Sequence, residues 1–143
     1  MKDAFGGSFI LRIMLVFFVV FICFMTVAIN LSKTYRIKNN IINILERSNP
    51  NDFSKEGDSG TINRIDSYLN KVAYNYSNNE NVKGNCAANN RDRFLSGNGV
   101  CIIKKGDNNN VYYRVITYFV VDFPLFRLGI LIPISGETKT IYY

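Results

Sequence analysis

Residues 13–32 read IMLVFFVVFICFMTVAINLS, twenty positions in a row without a charge. Wound as an α-helix they extend about 30 Å, the thickness of a bilayer hydrocarbon core. Leu, Met, Phe and β-branched side chains fall on every side, so the helix has no polar face to turn toward water. A helix apolar all round can also be the buried core of a globular domain. The remainder of this 143-residue chain is too small to enclose it. The run is therefore read as one transmembrane helix, with bounds 9–32 once Phe9, Ile10 and Leu11 are included, preceded by a tail at 1–8.

The flanks carry positive charge. Arg12 sits at one edge, where its stem can lie in lipid while the guanidinium reaches headgroups, and Lys2 lies beyond it. Lys33, Arg36 and Lys38 crowd the other edge and suit anionic headgroups. Because positive residues are retained on the cytoplasmic side, Lys2 and Arg12 argue for a cytoplasmic N-terminus, and the other three argue for the reverse. Thr26-Val27-Ala28 offers an alternative, a signal-peptidase site that would release a secreted domain; the length of the apolar run argues against it. Cys23 as a lipidation site is excluded by the bulky Ile22 before it.

The helical pattern continues past the membrane. Leu31, Tyr35, Ile41, Ile42 and Leu45 recur at helical spacing, and no Gly or Pro interrupts residues 8–48. Pro50 then ends the helix. One helix of about 40 residues, on the order of 60 Å long, is expected. Its second part, 33–48, would lay an apolar stripe against a domain formed by 49–143.

Within that domain, residues 51–60 (NDFSKEGDSG) read as a loop. Thr61 is expected to cap a short helix with Ile62, Ile65, Leu69 and Val72 on one face. Residues 75–96 are Asn-rich and read as a long irregular loop. Three strands follow, at 99–105, 111–122 and about 128–135, with turn chemistry at 106–110 (GDNNN). Pro133 donates no ladder bond and marks the third strand as an edge. Residues 139–143 would add a brief fourth pairing. The fold class is α+β: a long helix and a short one against an antiparallel β-meander of three to four strands.

Cys86 and Cys101 both fall in this domain. A bond between them would enclose 14 residues and contribute about 3 kcal/mol in the chain-entropy model. Disulfides persist outside the cytoplasm, which places the domain on the extracytoplasmic side. Two unrelated thiols in a cytosolic domain are the alternative.

Catalytic chemistry is hard to find. There is no histidine, which removes the commonest general base and metal ligand. No CxxC, P-loop or GxGxxG order is present. The Asp107–Asn110 stretch lacks the alternating acids and distal Glu of a calcium loop. Asp66, Asp122 and Glu137 form no evident acid/base pair. The net charge of +6 is scattered, without the basic–aromatic stripe of a nucleic-acid surface. No enzyme activity, cofactor, metal, nucleic acid or small-molecule substrate is expected.

The opening MKDAFGG, followed by SFILR and the apolar run, resembles the leader and helix of pilin-like proteins, closest to TadE-like minor pilins. The resemblance covers nearly the whole chain. It implies cleavage by a prepilin peptidase between Gly7 and Ser8, a filament-forming helix and a small disulfide-bearing domain. The fifth residue after that cut is Arg12, where the family usually carries Glu. The expected function is a non-catalytic, membrane-anchored structural component of a pilus- or secretion-like envelope assembly. Its expected partners are the lipid bilayer and other such subunits, met through the helix. The alternative is a tethered extracytoplasmic module that binds a protein or surface ligand. Abundant Asn, Ile, Lys, Tyr and Phe suit an AT-rich bacterial genome.

Overall fold

In the computed structural model one α-helix, α1, runs unbroken from Lys2 to Arg47. Its 46 residues make a rod of about 70 Å. The structure describes residues 2–48, 60–76, 78–86, 93–107, 110–123 and 126–142; the expected loop at 51–60 and Pro50 fall almost wholly outside them. The helix starts earlier than expected, so Gly6 and Gly7 belong to it rather than to a separate tail. Ser48 closes its end, the hydroxyl donating to the Ile44 carbonyl.

The two ends of α1 behave differently. From Phe9 to Ile29 nearly every side chain is exposed. From Leu31 onward a stripe turns inward: Thr34, Ile37, Ile41 and Leu45 are buried, at spacings of three and four. Each buried Ile or Leu contributes about 1.5–3 kcal/mol of apolar burial. Tyr35, expected in this stripe, is instead 46% exposed, because it lies just over half a turn from Ile37. Ile37 takes the inward position.

Helix α2 spans Thr61–Lys71. Its N-cap is Gly60 and there is no side-chain cap bond. The expected cap, Thr61, is inside the helix and buried, so packing rather than capping explains it. Ile65 and Leu69 are fully buried; Ile62 and Val72 pack against the same core. The helix closes in a Schellman motif: Tyr74 N donates to Leu69 O and Ala73 N to Asn70 O. Ala73 takes φ +53°, the left-handed position usually given to glycine.

The described residues of 75–96, expected to form an irregular loop, include regular structure. They contain α3 (Glu80–Cys86) and strand β1 (Arg93–Leu95). Then come β2 (Cys101–Asp107), β3 (Asn110–Phe123), β4 (Phe126–Glu137) and β5 (Ile141–Tyr142). All pairings are antiparallel, in spatial order β1-β2-β3-β4. Strand β5 continues the β4 edge, pairing Val111↔Ile141. Between the two, residues 138–140 oppose only Tyr112 and Tyr113, a one-residue bulge. Thr138 spans it: its N–H donates to Tyr113 O and its Oγ1 accepts from Tyr113 N.

The β2–β3 turn needs its glycine. Gly106 has φ +116°, and an added Cβ would collide with the Asn110 carbonyl. The fold class is α+β, with α1 and α2 on one face of the sheet. The core joins Ile37, Ile41 and Leu45 of α1 to Ile65 and Leu69 of α2 and to Val100, Ile102, Val111, Tyr113 and Val115.

Candidate membrane anchor

The projecting half of α1 carries the most distinctive surface. Phe9, Phe17 and Phe24 are 66%, 67% and 75% exposed, and the most apolar window has mean hydropathy 2.8 with none of it buried. In water such a surface has no stabilising partner. The helix is long and apolar enough to cross a membrane. Arg12 and Lys33 are 21 residues apart, so these charges stand about 32 Å from one another along the axis, close to the bilayer core thickness. Inside the run the Thr26 hydroxyl donates to the Ile22 carbonyl at 2.9 Å, so that polar group brings its own partner into an apolar setting.

The basic residues at the domain-proximal edge separate into two sets. Lys33 and Arg36 are exposed one turn apart and border an open depression with Ala28, Ile29 and Ser32. That arrangement of two cations above an apolar floor suits an anionic headgroup. Lys38 turns away from them toward the sheet. Its ammonium lies 4.8 Å from the Tyr35 ring centroid, and its stem borders Gly136. At the other end Arg12 is exposed, as are Gly7 and Ser8, with open space around Gly7.

The domain reaches down onto the apolar run. Val27 and Leu31 pack against Phe119 and Val121 of β3 and Ile134 of β4. Beyond Ile116, strand β3 has no β2 partner. There the gap is bridged by Tyr74, whose hydroxyl donates to Tyr118 O at 3.0 Å and accepts from Tyr118 N at 2.8 Å. Burial holds the Tyr74 phenol well above its ordinary pKa, against the opposing effect of the Tyr118 backbone hydrogen bond. Both Tyr118 backbone groups point toward Tyr74, so the Tyr118↔Pro133 pair is not hydrogen-bonded. Pro133 therefore sits on the edge without interrupting a ladder bond.

No protein-family model, no curated protein and no solved structure matches the chain.

Cys86 and Cys101 form a disulfide, with Cα atoms 5.7 Å apart. It ties the end of α3 to the start of β2, and both half-cystines are buried. Cys23 is the free cysteine, half-buried on the Val27 side of the helix. Glu137 pairs with Arg114 at 2.6 Å on the surface, and Asp66 accepts from Gly97 N at 3.3 Å. Among the described residues no group of three or more His, Cys, Asp and Glu side chains could hold a metal. A cleft of about 270 Å³ lies between α1 and the strand end, bordered by Asn30, Lys33, Tyr74, Tyr76 and Phe119. It falls just short of the roughly 300–1,000 Å³ usual for small-molecule sites.

Sequence reasoning missed Tyr74 and the Val27–Leu31 contact. The signal for the second was the spacing of Phe119 and Val121: two positions apart on a strand, they share a face that needs a partner beyond the end of the main core.

Proposed function

We propose that this protein is a non-catalytic, single-span membrane protein that serves as a structural subunit of a pilus- or secretion-like envelope assembly. Residues 9–29 of α1 lie in lipid and pack against equivalent helices, and the sheet domain stands outside the cytoplasm. The observation that carries this reading is the continuity of α1. One helix is exposed and apolar over its first half and locked into the domain core over its second, with no hinge glycine between Ser8 and Arg47. A flexible tether would serve a binding module equally well; an unbroken rod transmits position from the membrane to the domain, as a repeating subunit requires. The buried disulfide supports the extracytoplasmic side. The exposed Gly7-Ser8 bond supports processing by a prepilin peptidase, with Arg12 in place of the usual acid as the distinctive departure.

The test is the intact mass of the native chain from its own membranes, together with cross-linking in mild detergent. Loss of the first seven residues and a ladder of cross-linked copies support the pilin-like reading. An unprocessed, strictly monomeric protein overturns it.

A further inference from the structure

The hairpin formed by β3 and β4 does not stop at the domain. We infer that its far part, at Val121, Ile130 and Ile132, is a second membrane-contacting element, resting in the headgroup and outer acyl region beside α1; this depends on the membrane reading given above. Three placements support the inference. First, β3 runs antiparallel to α1 in level. Val115 shares the core with Ile37 and Ile41, whereas Phe119 and Val121 meet Leu31 and Val27. Second, Val27 is two residues from Met25 and from Ile29, about 3 Å along the axis. Those neighbours are 50% and 66% exposed and belong to the apolar run itself. Whatever solvates Met25 and Ile29 therefore also surrounds this part of the hairpin. Third, the hairpin presents apolar side chains at that level. Ile130 and Ile132 pair with Val121 and Phe119, so they share the helix-facing side of the sheet. They lie past the cover that α1 gives to Ile134, and they are 51% and 38% exposed where Ile134 is 9%.

Pairing continues beyond Val121↔Ile130 to Phe123↔Phe126, carrying the strands roughly 7 Å further toward the N-terminal half of α1. The depth is bounded by β4, whose outer edge pairs with no strand among the described residues. Unpaired strand amides cannot enter hydrocarbon, so the hairpin stays where water and headgroups can satisfy them. With α1 crossing the bilayer and the hairpin seated beside it, the domain is held at two points and cannot swivel about the helix axis.

The chain has no tryptophan, so a single introduced one reports its own surroundings. Full-length protein carrying Ile130→Trp, and separately Ile132→Trp, is reconstituted in vesicles of phosphatidylcholine and phosphatidylglycerol containing lipids brominated at shallow or deep acyl positions. Phe24→Trp reports the span and Lys104→Trp the distal sheet. The expected result is strong shallow quenching at 130 and 132, deeper quenching at 24, and none at 104. Quenching at 24 without quenching at 130 and 132 overturns the hairpin contact while leaving the span intact. Absence of quenching at all four positions overturns both. Inter-copy cross-linking at 130 without lipid quenching identifies a second copy as the occupant and also overturns the proposal.

Discussion

Replacing Tyr74 by Phe removes one oxygen and two hydrogen bonds from the place where β3 outruns β2. The ring stays, so the packing against the core is preserved. The lost bonds measure 3.0 Å to Tyr118 O and 2.8 Å from Tyr118 N, both buried. At about 1 kcal/mol each, with an added cost for the buried strand groups, the substitution should destabilise the domain by about 2–3 kcal/mol. That is a large fraction of the 5–15 kcal/mol typical of a domain. The same hydroxyl gives a pH signature. Its folded pKa is raised by burial, so the native state holds a proton that the unfolded chain releases near pH 10. The contribution is complete below about pH 10 and is lost as pH rises toward the folded pKa, with a slope of up to about 1.4 kcal/mol per pH unit. Guanidinium unfolding of the full chain in mild detergent, followed by near-ultraviolet circular dichroism from pH 7 to pH 11, reads both effects. The variant should start lower and then lack that alkaline slope. A variant within about 0.5 kcal/mol of the parent, or with an unchanged alkaline slope, refutes the bridging role.

Ala73→Gly should stabilise the chain by about 0.5–1 kcal/mol, because relief of left-handed strain outweighs the extra freedom of the unfolded glycine; a fall in melting temperature contradicts this. Reduction of the Cys86–Cys101 bond, or its replacement by serines, should cost about 3 kcal/mol, visible as a lower denaturant midpoint than in the oxidised protein. Ile41→Ala should cost about 2–5 kcal/mol by opening a cavity between α1 and the sheet, whereas Tyr35→Ala should cost less than about 1 kcal/mol; equal losses at the two sites would reverse the assigned helix faces.

Much of this architecture was legible in the chain because its periodicities are strong. A charge-free run fixes the exposed half of α1, and the absence of Gly and Pro carries the helix onward to Arg47. Beta-branched and aromatic content at 111–122 and alternation at 128–135 marked β3 and β4, with ends only one to two residues from those observed. What stayed hidden depended on contacts distant in sequence. Thr61 resembles a cap, but burial decides its role. Tyr35 resembles a core residue, but it is 46% exposed, with the Lys38 ammonium beside its ring. Arg93–Leu95 is too short to show a period of its own and is a strand only because Arg93↔Ile103 and Leu95↔Cys101 pair. The anchor surface was visible as composition. The reach of β3 and β4 down to Val27 was not, since it is a matter of register between a strand rising about 3.3 Å and a helix rising 1.5 Å per residue.

Alkaline carbonate washing of membranes that hold the untagged full-length chain asks most directly whether residues 9–29 thread a bilayer. With α1 crossing the hydrocarbon, the protein stays in the pellet until detergent dissolves the lipid. A chain recovered folded and disulfide-bonded in the carbonate supernatant would mean that the exposed Phe, Val and Ile surface of α1 is covered by something other than lipid.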